Sequence, residues 1–450
     1  MIADRARDLA QQVEQTAEAT PAKRERHVDL VRAMAIVFVV LGHWLVVAVT
    51  ETNGVIDGVN ALEELGWAHP VTWIFQVMPL FFFIGGYANA ASLEANRNAG
   101  GDALGWVLSR FERIVVPTTA LLVVLVAAVA AARLVGIGHD TASTGAWLAS
   151  VPMWFLAAYL AVLAFAPLTE SLGRRFGLVV PVVMALGVVL ADVARIAMEW
   201  EAVGNANHLL MWMTVHQLGY AWREGWLPAT PAAGLPLVGA GLAAAVLLTT
   251  VGPYPTSMVG VPGDELQNSA PPTAALLALG IAQIGLVLAV RNTANGWLRR
   301  RRVWVTVVAV NSVMLTLFLW HMAAAIVAAV GVYASGLMPT PAIDSGAWLL
   351  LRIPWLVVCA VVLAVLVALF AGIEVGMPGA RKGSGIEPVG AQAAGWLGAV
   401  LVLAGMLGIA LAGEGAHGPF GLPTAALAAY AAGCVGLLLA GQGRRLGPEG

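Results

Sequence analysis

Hydrophobic positions in this chain come in long uninterrupted runs separated by short polar connections, without the period-two alternation that marks a half-buried strand. Runs such as LLVVLVAAVAAA (121–132) and VVCAVVLAVLVALF (357–370) are apolar on every face, as in helices enclosed by other helices or by lipid. Windows of about 20 apolar residues, the length that crosses the hydrocarbon of a bilayer, predict spans at 31–49, 71–92, 114–132, 148–168, 178–198, 205–222, 235–251, 273–290, 304–334, 347–372, 393–412 and 421–440. The expectation is an all-α polytopic membrane bundle of about twelve spans. A transmembrane β-barrel is excluded, because its strands would alternate lipid-facing apolar and lumen-facing polar residues. The span at 205–222 is the least apolar, since NANHLLMWMTVHQLGYAW carries two histidines, two asparagines and a glutamine.

Composition agrees with the pattern. Hydrophobic residues make up 59% of the 450 and charged residues 11%, with a mean hydropathy of +0.81, against roughly 25% charged in soluble domains. Such a surface could not face water without large apolar patches. A net charge of −2 supplies no basic field, which argues against a nucleic-acid partner. Cys359 and Cys434 both lie inside apolar runs, so neither a disulfide framework nor a cysteine-based zinc site is expected. The first 28 residues set Arg5, Arg7, Lys23, Arg24 and Arg26 among acids and glutamines, with no apolar core before the first long run. That is a polar tail rather than a cleaved signal peptide.

Charge also orients the spans. With the N-terminus inside, the only Lys or Arg residues at outer ends are Arg133, Arg195 and Arg352, so 21 of the 24 fall on one side, as cytoplasmic loops require. The reading is a multi-pass protein of a bacterial cytoplasmic (inner) membrane with both termini cytoplasmic; the richness in alanine, glycine and valine points to the bacterial source. The expected organisation is a polar tail at 1–28, a membrane domain at 29–372, a cytoplasmic linker at 373–392, an accessory helix pair at 393–440 and a second tail at 441–450. The longest outer connection, GPYPTSMVGVPGDELQNSAPP at 252–272, is long for a plain turn, and loops of this size are often functional. Glu63, Glu64, Asp264 and Glu265 read as solvated outer-loop charges.

Three segments carry candidate chemistry. The first span, DLVRAMAIVFVVLGHWLVV, places Arg32 near its inner start and His43 eleven residues later. Eleven residues return to within about 20° of the same helix face and rise about 16 Å, so both side chains are expected to look into one cavity. Ionisable groups inside a membrane are candidates for function, and a histidine can serve as a general base near neutral pH. The second span ends in MPLFFFIGGYANA, where Gly85 and Gly86 allow close approach of a backbone or ligand beside the wall made by Phe83 and its neighbours. The loop after it ends in SRFERIVVP. Arg110 and Arg113, three apart, share a face and can converge on a phosphate-bearing ligand; ordinary flanking charge is the plainer reading of that pair alone.

Taken together these segments resemble the membrane acyltransferase 3 family. Its members share an arginine, ten residues and a histidine in the first helix, here Arg32 and His43. They share a phenylalanine-rich, glycine-containing segment in the next helix, here Phe82, Phe83, Gly85, Gly86 and Tyr87, and an arginine pair spaced by two, here Arg110 and Arg113. PMWFLAAYL at 152–160 is similar to the family's tryptophan-phenylalanine-leucine segment and brings in Trp154. Gly85 departs from the pattern, since many members carry serine there. The resemblance covers roughly 27–372 and implies a ten-helix core with two further C-terminal helices. It implies transfer of an acyl group, often acetyl, from cytoplasmic acyl-CoA as co-substrate to a hydroxyl on an acceptor such as a sugar or exported metabolite. It also implies His43 as the catalytic residue, Arg110 and Arg113 on the phosphates of coenzyme A, and Arg32 either binding the donor or orienting His43. No permanently bound cofactor is implied. Whether His43 acts as base or is transiently acylated is left open, as are the acceptor and the acyl chain length.

Other buried polar residues have two readings. His321, with Asn311 and Ser312 earlier in the same predicted span, is either a second site residue or a structurally satisfied one, and so is His216. His208 and His216, eight apart and about 80° from one another on a helix, are poorly placed as metal ligands, so no metal is expected. Asp192 and Arg195 read most simply as a local ion pair. No G-x-S-x-G elbow and no Walker-type loop occurs, so neither a hydrolase triad nor phosphoryl-driven pumping is supported. The main alternative is a secondary transporter of a small solute, although the two halves show no paired interrupted helices. A noncatalytic scaffold would leave Arg32 and His43 without a purpose.

Overall fold

A computed structural model describes residues 2–21, 23–52, 55–375, 389–413, 418 and 423–443. Most of the expected linker at 373–392 and of the tail at 441–450 lies outside the described residues, with Arg381, Lys382, Arg444 and Arg445. In chain order the elements are α1 (Ile2–Glu18), α2 (Arg26–Val46), β1 (Val47–Thr52), β2 (Val55–Asn60), α3 (Thr72–Phe75), α4 (Met78–Asn98), α5 (Ala103–Leu134), α6 (His139–Ser150), α7 (Met153–Phe176), α8 (Val179–Met198) and α9 (Glu201–Gly204). They continue as α10 (Asn207–Arg223), α11 (Pro231–Thr250), α12 (Ala274–Trp297), α13 (Arg301–Ser312), α14 (Met314–Tyr333), α15 (Gly346–Val375), α16 (Val389–Leu411) and α17 (Thr424–Gly443). The protein is a polytopic helical membrane protein. Among the described residues eleven helical segments are long and apolar enough to cross a bilayer, one fewer than expected.

The missing one is 205–222. It forms α10, a 17-residue helix about 25 Å long at 1.5 Å per residue. Met211, Trp212, Val215, His216, Gln217, Tyr220 and Trp222 are all buried, so protein rather than lipid surrounds its polar groups, and a hydropathy criterion passes over it.

Four other expectations change. The first span stops at Val46, and the chain turns into a short antiparallel hairpin pairing Val47 with Asn60 and Thr52 with Val55, a small addition to an all-α fold. The polar tail contains α1, which packs Val13 and Ala17 against Trp304, Val307 and Val308 of α13. The run at 304–334 breaks at Val313, with φ −125° and ψ 21°, so only α14 keeps the length and apolarity of a span. The run at 71–92 is interrupted between α3 and α4, where Gln76 donates from Nε2 to Met258 O at 2.7 Å.

The chain divides into two compact units. The first comprises Met1–Ala90, Leu168–Met314 and Ala328–Ala364. In it α2 packs on α12 and α13, and α10 on α8 and α12. The second comprises Ala91–Pro167, Leu315–Val327 and Val365–Gly450. There α16 and α17 pack tightly together and against α5. A Cβ on Gly405 would lie 2.6 Å from the Tyr430 backbone nitrogen, and Tyr430 donates its hydroxyl to Val115 O at 3.0 Å. Outward faces are apolar: Val182, Val183, Leu186 and Leu190 of α8, and Leu350, Ile353, Val357 and Val361 of α15, are exposed, as lipid-facing helices require.

The long loop at 252–272 is knitted rather than loose. Asn268 donates from Nδ2 to Pro255 O and Ser257 O at 2.7 and 2.8 Å and accepts from Thr273 Oγ1 at 2.6 Å. Asp192 is its main anchor and does not pair with Arg195 as expected. Its Oδ2 accepts from Tyr254 Oη at 2.9 Å and from Ala274 N at 2.6 Å, and its Oδ1 accepts from Asn207 Nδ2 at 3.0 Å. The carboxylate thus sits at the N-terminus of α12, where the helix dipole favours negative charge. Arg195 instead faces Glu201, with N···O 3.4 Å. Glu63, Glu64, Asp264 and Glu265 are exposed.

Asp192→Ala is expected to leave Tyr254 Oη and Ala274 N without this acceptor and Asn207 Nδ2 with Val188 O alone, and to cost about 3 kcal/mol, read as a lowered unfolding midpoint in detergent; Asp192→Asn costs less. Burial and the neighbouring Asp192 carboxylate push the Tyr254 hydroxyl above its ordinary pKa. The folded pKa is the higher one, so this contribution is complete below about pH 10, the unfolded value. It is lost as pH rises from there through the folded value, and Tyr254→Phe should flatten that alkaline loss. A reporter active only on the inner side, fused after Gly450, is expected to match one fused before Met1; opposite signals would mean that α10 does not cross.

Candidate functional site

Helix α2 carries the first pair of candidates. Asp29 in its first turn suits the positive end of the helix dipole and is buried to 4% exposure. Arg24 grips it bidentately, Nε to Oδ2 at 2.7 Å and Nη2 to Oδ1 at 2.9 Å, which raises the Arg24 pKa further. Arg32, one turn on, lies 3.7 Å from Asp29 Oδ1. Asn311 Nδ2 donates to Asp29 O at 2.9 Å and to Val307 O at 2.8 Å. Arg24, Asp29 and Asn311, with Thr16, Thr20 and Trp304 among others, line a cavity of about 430 Å³, and Arg32 is not among its lining residues. Arg32 and Asn311 are therefore brought together through Asp29, which the sequence reading did not single out although it stands three residues before Arg32.

His43 lies at the other end of the same helix, about 16 Å along the axis from Arg32, and is not among the residues lining that cavity. Its Nδ1 lies 2.8 Å from Val39 O. A carbonyl only accepts, so Nδ1 carries the proton, and in the neutral ring Nε2 holds the lone pair. Such a histidine can take a proton or act as a nucleophile through Nε2.

The glycine-aromatic segment of α4 meets α10. A Cβ on Gly86 would lie 1.9 Å from His216 O, and a Cβ on Gly219 would lie 1.8 Å from Phe83 O, so the two backbones touch at reciprocal glycines. Phe83 stacks on Trp222 with centroids 5.4 Å apart, and Tyr87 leans on the same ring at 4.5 Å. Asn89 donates from Nδ2 to His216 Nε2 at 3.1 Å, and His216 is 3% exposed. Phe83, Gly85, Gly86, Tyr87 and His216 thus form one packed seam, with Gly85 buried in it. Asn89 and Trp222 complete it. Asn89 stands one turn after Gly85 and Gly86, but nothing local marks Trp222.

The remaining candidates belong to the second unit. Asp102 caps α5 by accepting from Gly105 N at 2.7 Å, which sets Arg110 and Arg113 two to three turns into the helix. Arg110 donates to Ser92 Oγ, which also accepts from Trp106 Nε1 at 2.9 Å, and its guanidinium lies 5.5 Å from the Trp106 ring centroid. Arg113 is exposed. The pair is one held cation and one solvent-facing cation on a single helix. Trp154 meets Phe155 edge-on, and Phe155 meets Phe318, which neighbours His321. His321 is fully buried and donates from Nδ1 to Phe318 O at 2.6 Å. Glu374 was not singled out from the sequence. Its carboxylate accepts from Leu315 N at 3.1 Å and from Thr316 N and Oγ1 at 2.8 and 2.7 Å. Among the described residues no three His, Cys, Asp or Glu side chains converge as a metal site.

A family model described as an acyltransferase domain, that of acyltransferase 3, matches residues 26–373. The chain belongs to the acyltransferase 3 family. No curated protein and no solved structure matches it. Membership decides between the two principal readings of the sequence: this is a membrane acyltransferase and not a secondary transporter. The acyltransferase 3 domain begins at α2, so α1 and the turn after it, with Thr16 and Thr20 on the cavity wall, and the pair α16–α17 lie outside it.

Gly86→Ala and Gly219→Ala are each expected to force α4 and α10 apart and to cost about 2–3 kcal/mol, as overpacking does. Gly66→Ala, with nothing within 4 Å of the added carbon, should leave the unfolding midpoint within a degree or two of the parent.

Proposed function

We propose that this acyltransferase moves an acyl group, acetyl in the simplest case, from cytoplasmic acyl-CoA to a hydroxyl of a carbohydrate or another envelope or exported acceptor. The observation that carries the reading is the state of His43, whose Nδ1 donates to Val39 O and so leaves Nε2 as a base. In the proposed step Nε2 accepts the acceptor's hydroxyl proton while the oxygen attacks the thioester carbonyl. The carbon–sulfur bond then breaks, and the imidazolium returns the proton to the departing thiolate. The two-step route uses the same nitrogen: Nε2 takes the acyl group as the carbon–sulfur bond breaks and the thiolate leaves, and the acceptor oxygen then displaces the imidazole while its proton is released and taken up by the thiolate.

Arg32 is assigned to the donor rather than to orienting His43. The two are separated by about 16 Å of helix, beyond side-chain contact and comparable with an extended pantetheine arm. Arg110 and Arg113 are assigned to the phosphates of the donor, as a held and a solvent-facing cation on one helix suit charge-assisted hydrogen bonds to phosphate oxygens. Phe83, Gly85, Gly86, Tyr87 and Trp154 are assigned to walls of the reaction space. His216, Asn311 and His321 are assigned to holding those walls, because each already makes a short hydrogen bond within the protein. The bacterial inner membrane with both termini cytoplasmic is the location that the arginine distribution supports.

His43→Ala is expected to lower acceptor-dependent release of free thiol from acetyl-CoA by at least a hundredfold without changing the unfolding midpoint. Unchanged turnover would remove the assignment. An acyl group recovered on His43 without acceptor selects the two-step route, and its absence selects direct transfer. Arg110→Ala combined with Arg113→Ala should raise the KM for acyl-CoA about tenfold or more with little effect on the acceptor; an unchanged donor KM would undo the phosphate assignment.

A further inference from the structure

Four residues of α15, Trp348, Arg352, Trp355 and Cys359, recur at helical spacing and are all buried, between 0 and 6% exposed, whereas Leu350, Ile353 and Val357 between them are exposed. The buried stripe faces the end of α2. Trp355 donates from Nε1 to Trp44 O at 2.8 Å, and Arg352 donates from Nη1 to Val47 O at 2.8 Å. Val47 is the residue that closes α2, its own N–H bonding His43 O. It stands four positions after His43, so the two share a helix face about 6 Å apart. Arg352 is therefore anchored one turn from the residue assigned to the chemistry.

Arg352 carries more than its neighbours satisfy. Its guanidinium lies 4.3 Å from the Trp348 ring centroid and 5.8 Å from that of Trp355, with Tyr333 as a further neighbour. Among the described residues no carboxylate pairs with it. The helix end it touches offers only about half a negative charge. Its Nε, and the Nε1 of Trp348 beside it, are buried donors with no acceptor. An unpaired buried charge and two unmet N–H groups in one place form a deficit of acceptors, which an anion would fill. Above them lie Ala48, Ala61, Leu65 and Ile343, packed on Trp348, and the two-stranded hairpin that starts at Val47.

We propose that Arg352, with Trp348 and Tyr333, recognises an anionic group, a carboxylate or a phosphate, on the hydroxyl-bearing acceptor. The guanidinium fork receives the anionic oxygens while Trp348 Nε1 supplies a further donor and the ring face. One helical turn away His43 meets the hydroxyl, a spacing that fits a single sugar residue bearing both groups. The word acceptor rests on the acyltransferase reading, but binding at Arg352 can be measured without turnover.

The test is calorimetric titration of the detergent-solubilised full chain with glucuronate, glucose 6-phosphate, inorganic phosphate and glucose. At least one anionic sugar should bind tenfold or more tightly than glucose, as a charge-assisted hydrogen bond predicts, and which one binds tells carboxylate from phosphate. Arg352→Gln should remove the preference, and Arg352→Lys should keep part of it. Trp348→Phe should weaken binding a few-fold with an unchanged unfolding midpoint, which guards against a variant that merely misfolds. Equal affinity for all four probes, no binding of either anionic sugar, or a preference that survives Arg352→Gln would overturn the proposal. Inorganic phosphate binding as tightly as glucose 6-phosphate would make this a site for a free anion and overturn the acceptor role. Turnover that survives His43→Ala would remove the catalytic assignment of His43, from which the one-turn spacing is measured, and leave this binding result standing.

Discussion

A helix that ends inside a membrane protein has several backbone groups without partners, and hydrocarbon offers none. The architecture follows from meeting that demand at each interruption. Where α12 begins, Asp192 takes the Ala274 N–H; where α14 begins, Glu374 takes those of Leu315 and Thr316; where α2 ends, Trp355 and Arg352 donate to its last carbonyls. Asp192, Glu374 and Arg352 stand where helix dipoles need them, acids at starts and a cation at an end. Breaks secured in this way hold their geometry, and irregular backbone at such a depth exists only where protein encloses it.

Between the breaks, size decides what approaches what. Glycines at 86 and 219 remove the side chains that would separate α4 from α10, and the large rings of Phe83, Tyr87 and Trp222 then fill the space beside the contact. Helices with an outward face are built differently, with valine and leucine exposed on α8 and α15. Such residues tolerate exchange, because lipid accepts any apolar shape, whereas the glycine seam accepts almost none. The family's glycine-aromatic segment is therefore a packing specification as much as a chemical one.

Much of this was legible in the sequence because hydrocarbon thickness imposes a length on every crossing. The eleven long helices stand where apolar runs predict them, and the arginine, histidine and glycine-aromatic motifs were sufficient to identify the family. What was not legible depends on partners distant in sequence. Asp192 seemed to belong with Arg195 three residues away but is bonded to Ala274, 82 residues on. Glu374 fell in the expected linker, just past a span, and instead caps the start of a helix that begins 60 residues earlier. The break at Val313 lies inside a continuous apolar run, and the hairpin after Val46 is written in residues that a hydropathy window reads as more helix. Asp29 shows the opposite case, a partner within one turn of Arg32 that spacing alone could have revealed.

Helix α1 and the residues just after it lie before the acyltransferase domain yet contribute Thr16, Ala19 and Thr20 to the wall of the cavity beside Asp29. They are fastened by Trp304 Nε1 on Thr20 Oγ1 and by the exposed pairing of Arg301 with Glu14 and Glu18. Exposed pairs of this kind contribute little to stability and weaken with salt, so it is the packing of Val13 and Ala17 on α13 that holds this wall in place. Its sequence is not bound by hydrocarbon thickness or by the glycine seam. Divergence between relatives can therefore accumulate in α1 and reshape the cavity while the helices that hold His43 stay as they are.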